Sequence, residues 1–534
     1  MKSSYDVVVI GSGLGGLTAA ATLAKEGLSV LVLEQYCRFG GFGQSYSIDG
    51  YIFDTAVHAI WYWEEIAEML QELGIKLEVV PARRADRILF KNGIEYYATS
   101  IPEMKEQIQR LAPNDAVNIA RYYDTLIESQ KALINFTYAP NNLNAQKEFL
   151  KYRNLWKMTL EEVVSNVSQN PLTQDLLYGY HDGYLYDYSW YYPAFHLFNT
   201  KYLYDGFSPI GGSQSLVDAL VLAIKESGGE LQANTLVKKI IVENNSVKGV
   251  ITSNGDFINA KKAVISNADV ILTLEKLIGR EFLPSEMIRS LDKCYQNVPS
   301  LSYYILNVGL DIDVKKVYGL KGDLTIYYPS HNILEGFKKI NSGSLPDDFW
   351  VWMVFPSVND ATVAPKGHSV AIYSILVPYH CEQNSHVDAN YKFDGFSSIG
   401  EKGKSYYDFK ENLTQKILNK VEEVYPGISA HITVKDLVTP QTIERITLNY
   451  KGSTLGVKVV PDFERTGSYF SMGFKVETII NKLFLVGAWA ERGFSAPAAM
   501  GTGRVAASKI IGKELLSIRV DSKHRMQHLH NLHK

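Results

Sequence analysis

Three glycines, one acid and one histidine near the start of the chain have the types and spacing from which chemistry can be read. Gly11, Gly13 and Gly16 stand as G-x-G-x-x-G within "VVVIGSGLGGL". In that spacing the first glycine permits a tight turn and the second lets the backbone approach a pyrophosphate. The third lets a helix pack closely on a strand. Glu34 follows Gly16 by 18 residues and ends an apolar run. A carboxylate there can accept both hydrogen bonds of a ribose diol, and an acid at this point disfavours a 2′-phosphate. His58 sits in "FDTAVHAIW", Phe53–Trp61. Its imidazole titrates near neutrality and so can give or take a proton.

These groups need a strand, a turn, a helix and a second strand to hold them. Tyr5–Ile10 is continuously apolar, as in a parallel strand buried on both faces. Leu17–Glu26 carries good helix formers, with Gly27 placed to stop it. Leu28–Leu33 reads as the second strand. The intervening helix start offers free N–H groups and a partial positive charge to phosphates. A tight turn in an ordinary α/β protein would leave the glycine triplet and the acid unexplained. Six residues after Glu34 comes a second glycine pair, Gly40-Gly41, with Arg38 just before it. A nicotinamide dehydrogenase has no need of that loop, whereas a flavin dinucleotide must pass such a point; a plain surface turn is the alternative. The expected cofactor is FAD, held by Gly11, Ser12, Gly13, Gly15, Gly16, Glu34, Gln35, Arg38, Gly40 and Gly41.

The bulk properties narrow the class. The 534 residues carry a formal charge of −3, with 46% hydrophobic and 21% charged residues. No long basic run precedes the tail, which argues against nucleic acid as a partner. Cys37, Cys294 and Cys381 are far apart, with no metal-like spacing and no disulfide framework. No run of about 18 apolar residues is present to span a membrane. A first strand at about Tyr5 leaves no room for a signal peptide, so the expected location is cytoplasmic.

The far end of the chain supplies a complement. "NKLFLVGAWAERGFSAPAAMGTGRVAASKII", Asn481–Ile511, reads as a strand, a loop and a glycine-initiated helix. Together with the opening motif it resembles the FAD-containing amine oxidase and phytoene desaturase superfamily. The resemblance implies that Gly487 lies beside the ribityl chain. It also implies that a helix beginning near Met500-Gly501-Thr502 points its N–H groups at the flavin pyrimidine edge. Ala488 stands where many relatives have Asp. The segment from Ser208 to Asp269, "SPIGGSQSLVDAL…AVISNAD", resembles the one shared by phytoene desaturases, carotenoid isomerases and retinol saturases. In it Val237 matches the position whose backbone contacts the adenine. "FPSVNDATVAPKGH" (355–368), "YPGI" at Tyr425 and "TPQTIERI" (439–446) match the same enzymes. "FDTAVHAIW" is most similar to retinol saturase-like proteins, with Ala56 in place of a glycine and His58 retained.

The resulting expectation is an α/β fold: a doubly wound, Rossmann-type FAD domain with an inserted α+β substrate domain. The FAD domain would be assembled from 1–98, 206–285 and 455–516, and the substrate domain from 99–205 and 286–454, leaving a tail at 517–534. The first insert reads as helical and the second as an antiparallel sheet. No second strand–G-x-G-x-x-G unit occurs, so no separate nicotinamide domain is expected and the redox partner stays open.

The chain has 34 tyrosines, with a dense cluster from Tyr178 to Tyr204. By resemblance this cluster lines a tunnel to the flavin, and broad aromatic faces suit a rigid conjugated hydrocarbon. A tyrosine-rich core or dimer interface is the alternative. The implied activity is FAD-dependent oxidation, reduction or cis–trans isomerisation at C–C or C=C bonds of a hydrophobic polyene. Two other readings stay open: an amine oxidase-like enzyme on a polar substrate, and a non-catalytic flavin or polyene carrier. His58 is the one catalytic candidate, against a hydrogen-bonded core histidine; Asp54 is read as fixing its loop, and His181 and His196 as weaker candidates. An insoluble substrate implies peripheral contact with a membrane face.

Overall fold

In a computed structural model, the described residues are 2–82, 85–139, 141–181, 190–198, 200–201, 206–297, 301–379, 404–454, 456, 474–491 and 495–515. The apolar opening run forms the strand Ser4–Ile10, and its side chains alternate between two cores. Val7 and Val9 enter one cluster, with Val30, Val32 and helix residues such as Leu17 and Leu220. Tyr5, Val8 and Ile10 enter the other, with Leu31, Leu33, Val237 and Leu272. Burial on both faces explains why the strand is apolar throughout rather than alternating. The parallel sheet runs Glu230–Gln232, Val30–Leu33, Ser4–Ile10, Phe257–Ser266 and Leu483–Leu485. The antiparallel strands Ser246–Thr252 and Val237–Glu243 extend it from the first half of Phe257–Ser266. This is the expected Rossmann-type arrangement, its strands drawn from three separated stretches of chain.

The second sheet has the order Ile432–Val438, Leu301–Leu310, Ser369–Pro378, Val351–Val354, Leu324–Tyr328, Asp86–Phe90 and Glu95–Ala98. Its pairs are antiparallel except for Leu324–Tyr328 with Asp86–Phe90. The expected limit of the first FAD-domain segment at residue 98 is therefore corrected. Asp86–Ala98 forms a hairpin that hydrogen-bonds to the inserted sheet, and Ile88, Phe90 and Tyr96 pack into that sheet's core. The first insert is helical, with helices including Ile101–Leu111, Ala116–Tyr138 and Pro171–Tyr178. Much of the tyrosine cluster, the limit at residue 516 and the tail 517–534 lie outside the described residues.

Register fixes which side chains share a face of this sheet. Ile305, Ser374, Trp352, Ile326, Ile88 and Tyr96 stand opposite one another, strand by strand. At one side of this face Asn307 donates through Nδ2 to the Tyr46 hydroxyl of the hairpin Ser45–Asp54, at 2.6 Å. At the other, the Tyr96 hydroxyl donates to Leu176 O at 3.0 Å. Between them Tyr303 and Ser374 are only half-buried, in a sheet whose other members of the row are buried.

The helices Leu14–Lys25 and Ala496–Ile511 pack on the same face of the parallel sheet, with close backbone approach. A Cβ at Gly503 would fall well inside van der Waals contact with Gly15 O and 3.0 Å from Ala19 N. Gly503→Ala should therefore lower stability by about 1–3 kcal/mol through overpacking. A fall in the urea midpoint with an unchanged slope would show this, and an unchanged midpoint would contradict the packing.

Candidate functional site

The glycine loop begins where Ser4–Ile10 ends. Gly11 has φ +86°, a left-handed turn that glycine adopts freely. Gly11 N–H donates to Leu33 O and Asn267 N–H to Ile10 O, each at 2.8 Å, so three neighbouring strand ends are tied together. Gly13 is the N-cap of Leu14–Lys25 and offers no capping side chain. The first-turn amide of Gly16 donates instead to Asn267 Oδ1, at 3.1 Å.

Asn267 is the unpredicted centre of the site. An ideal Cβ on Gly13 would collide with Asn267 Nδ2. One on Gly15 would lie 2.8 Å from Asn267 Oδ1 and 2.9 Å from Gly487 N, and one on Gly487 2.6 Å from Asn267 Oδ1. The glycines of the opening loop and of the C-terminal strand end thus converge on one amide side chain. The signal was present in "SNAD", but only as a segment returning to the sheet. No local pattern announces a residue whose role depends on a loop 251 positions away.

Glu34 is buried at the end of its strand. Ser12 donates to Glu34 Oε2 through N–H at 2.9 Å and through its hydroxyl at 2.6 Å, and Tyr36 N–H donates to Oε1 at 2.8 Å. Gly40 N–H donates to Ser12 Oγ at 3.1 Å. Gly13 and Gly40 also form a backbone bridge, and a Cβ on Gly41 would lie 3.2 Å from Gly13 Cα. The opening loop, the acid and the second glycine pair are therefore one cradle. Val237 is buried at the start of its strand, and Thr235 N–H donates to Glu34 O at 2.8 Å. Arg38 is exposed and donates through Nη1 to Ser45 O at 3.0 Å, while Gln35 Nε2 donates to Ile446 O at 2.6 Å. In this structure both act as ties between segments.

The helix expected to begin near Met500 begins at Ala496. Ser495 caps it, accepting from Ala498 N–H at 3.1 Å, and Pro497 occupies the first turn. Ser-x-Pro is itself a helix-start signal, which the glycine cue at Gly501 obscured. Met500, Gly501 and Thr502 are consequently buried inside the helix. The Thr502 hydroxyl instead donates to Ala499 O and accepts from Gly487 N–H, at 2.7 and 2.8 Å, and so pins the strand end that carries Gly487 and Ala488.

His58 is half-buried, with Nδ1 4.0 Å from Asp54 Oδ2. Asp54 Oδ1 accepts from the Ser45 hydroxyl at 2.6 Å and from Ser213 N–H and hydroxyl at 2.8 and 3.0 Å. Asp54 therefore holds the start of the helix after Gly211-Gly212, a distant segment rather than the loop that bears it. The loop bearing His58 is stitched to strand Gly206–Pro209, through Ser208 Oγ to His58 O at 2.6 Å and a mutual Ile60–Phe207 pair. His181 and His196 lie elsewhere, in the helical insert.

Two residues beyond Asn267, Asp269 accepts from Tyr450 N–H at 2.8 Å and Leu272 N–H at 3.0 Å. Glu444, on helix Pro440–Thr447, accepts from Lys451 N–H at 3.1 Å and from the Tyr379 hydroxyl. The two carboxyl groups hold a turn in which Leu448, Lys451 and Gly452 all have positive φ. Burial raises Asp269 to about 6. Burial, helped by the charge of Asp269, raises Glu444 to about 7.

The cradle suits a dinucleotide: its closest approaches are backbone on backbone, a buried acid stands at its second strand, and a helix N-terminus opens into it. Asn267→Ala should weaken flavin retention through dialysis at least tenfold while the chain stays folded by circular dichroism; full retention would remove Asn267 from the cradle. The carboxyl pair gives a second test. Both folded pKa values lie above the ordinary values of 3.8 and 4.5. Their contribution to stability is therefore complete below those values and is lost as pH rises through 6 to 7. The Tm should fall between pH 5 and pH 8, and Glu444→Gln should reduce that fall; an unchanged fall would exclude Glu444 as its source.

Residues 14–293 match the family described as "Flavin containing amine oxidoreductase". A lycopene-forming phytoene desaturase from Pseudescherichia vulneris is 25% identical over 94% of this chain and 98% of its own length. A chloroplastic prolycopene isomerase from Daucus carota is 24% identical over 84% of this chain and 71% of its own. The crystal structure of an oxidoreductase from Methanosarcina mazei superposes with a TM-score of 0.64 at 16% identity, covering 95% of this chain and all of its own. The family match spans more than half of the chain and contains the glycine helix, Glu34 and Asn267, and on that ground the protein belongs to the flavin-containing amine oxidoreductases.

Proposed function

We propose that the protein is an FAD-dependent oxidoreductase or isomerase acting on C–C or C=C bonds of a hydrophobic polyene, a carotenoid- or retinoid-like isoprenoid. The observation that carries this reading is the near full-length likeness to a phytoene desaturase, with a likeness to a prolycopene isomerase over 84% of the chain. An amine oxidase-like role on a polar substrate shares the family and the fold, but those two relatives favour the polyene. On the same face of the large sheet the half-buried Tyr303 meets Trp352 with ring centroids 5.9 Å apart, an aromatic surface that supports the same choice.

In this reading the amides of the opening loop and the N-terminus of Leu14–Lys25 hold the pyrophosphate, and Glu34 holds the ribose. Val237 lies at the adenine, and Gly487 and Ala488 at the ribityl chain. The N-terminus of Ala496–Ile511, at Ala496 rather than Met500, favours negative charge on the ring edge. Bound FAD supplies the hydride or electron chemistry. The chain's share is to exclude water, hold the polyene flat, and present His58 as the group that holds or moves a proton, oriented by Asp54. Residues 1–82, 206–285 and 455–516 form the FAD-binding part, and the rest up to residue 454 forms the substrate part. Among the described residues no helix is long and apolar enough to cross a membrane, so access to an insoluble substrate would be through peripheral contact.

The reading is tested by incubating the holoprotein with a polyene panel, with the flavin oxidised in one series and pre-reduced in the other. A product differing by two hydrogens, or an isomer of unchanged mass formed only with reduced flavin, is the expected result. No conversion of any polyene together with oxidation of a primary amine would overturn it. His58→Ala should lower turnover at least tenfold with FAD content unchanged, and full turnover would remove His58 from the chemistry.

A further inference from the structure

The helical insert contains a buried cluster of polar aromatic and imidazole groups that neither the cofactor cradle nor His58 uses. Its centre is Tyr122, on helix Ala116–Tyr138. Tyr122 OH and His181 Nε2 are 2.8 Å apart, and the Tyr122 ring meets Trp190 edge-on at 5.3 Å between centroids. Tyr178 belongs to the same buried core cluster as Tyr122 and Trp190. All four side chains are at most 4% exposed. The segment bearing Tyr178 and His181 rests on the large sheet, where the Tyr96 hydroxyl donates to Leu176 O and the Tyr328 hydroxyl to Gly179 O, each at 3.0 Å.

Three polar atoms of this cluster have no hydrogen-bond partner among the described residues: Tyr178 OH, His181 Nδ1 and Trp190 Nε1. A buried polar group without a partner bears its full desolvation penalty, so each of these three atoms is a position where a ligand's hydrogen-bonding group would be stabilised. They are also electrically matched. Burial, followed by the nearby His196, lowers His181 to about 3, so its imidazole is neutral. Burial raises Tyr122 and Tyr178, so both phenols are neutral. The neighbouring cation Lys201, whose Nζ lies 5.1 Å from the Tyr180 ring centroid, is paired with Asp86 at 3.1 Å in full burial. We assign Tyr122 as the donor to Nε2, which places the His181 proton on Nδ1. The cluster then offers three neutral donors, from a phenol, an indole and an imidazole.

We propose that this cluster is a subsite for a neutral oxygen function, a carbonyl or hydroxyl, at one end of the polyene, and that the protein selects oxygenated polyenes over pure hydrocarbons. The inference rests on the polyene reading above. A charged carboxylate is disfavoured, because the buried cation beside Tyr180, Lys201, is already neutralised by Asp86. An apolar end group would leave all three unpaired, and sites built to hydrogen-bond an oxygen reject the analogue that lacks it.

The test uses the holoprotein and two matched pairs in detergent micelles, retinal against axerophthene and canthaxanthin against β-carotene, with Kd read from carotenoid absorbance and tryptophan quenching. At least one oxygenated member should bind tenfold or more tightly than its hydrocarbon partner. Tyr178→Phe, which keeps the ring and the packing, should cut that preference about fivefold while leaving hydrocarbon binding unchanged. Equal affinity within both pairs, or a preference untouched by both Tyr178→Phe and His181→Gln, overturns the subsite and leaves the polyene reading standing. Binding of none of the four overturns both. A preference that survives Tyr178→Phe but falls with His181→Gln upholds the subsite with the imidazole as its main donor.

Discussion

The structure depends on a crossing point where backbone must touch backbone. The opening glycine loop, the Gly40-Gly41 turn, Asn267, the strand end at Gly487 and the helix from Ala496 come from distant parts of the chain. They meet within distances that admit no Cβ at Gly13, Gly15, Gly487 or Gly503. Such closeness is costly in entropy and leaves no side chains to absorb error. Specific polar ties therefore replace packing: Asn267 on the Gly16 amide, Thr502 on the Gly487 amide, and Ser12 on Glu34. Each tie satisfies a backbone or carboxylate group that burial would otherwise strand.

The second sheet is placed by the same logic. The hairpin Ser45–Asp54 follows directly from the Gly40-Gly41 turn, and it touches both domains. Asp54 grips Ser213 on the nucleotide side, while Tyr46 meets Asn307 on the sheet. His58 follows at once, so its position is set by the cradle on one side and by strand Gly206–Pro209 on the other. One face of the second sheet runs from Asn307 to Tyr96 and ends against the helical insert. An extended, rigid molecule lying along this face would meet aromatic rings in its middle and neutral hydrogen-bond donors at its far end. Burial neutralises the ionisable groups at that end, which makes recognition there a matter of hydrogen bonds rather than charge.

The parts legible in the sequence were those whose meaning is local. The strand, glycine triplet, helix and acid of the opening unit are spelled out within 30 residues, because each serves its neighbour in sequence. Asn267 was not legible in this way, because its partners arrive from both ends of the chain. The helix start at Ala496 is written in Ser495 and Pro497, yet Gly501 and Gly503 further on offer a competing start signal at Met500. The hairpin Asp86–Ala98 reads like any short pair of strands, and only its partner Leu324–Tyr328 shows which sheet it joins. The donors around Tyr122 are scattered among many other tyrosines, and composition alone cannot separate a core phenol from one that lacks a partner.

Where the flavin lies decides the matter most directly, and a crystal structure of the holoprotein shows it. The pyrophosphate should lie within hydrogen-bond distance of the amides between Gly13 and Gly15, with Asn267 at its back. The isoalloxazine ring should lie between His58 and the sheet face that carries Tyr303 and Ser374. A flavin bound elsewhere would contradict the cradle, and a ring turned away from that face would contradict the proposed placing of the substrate.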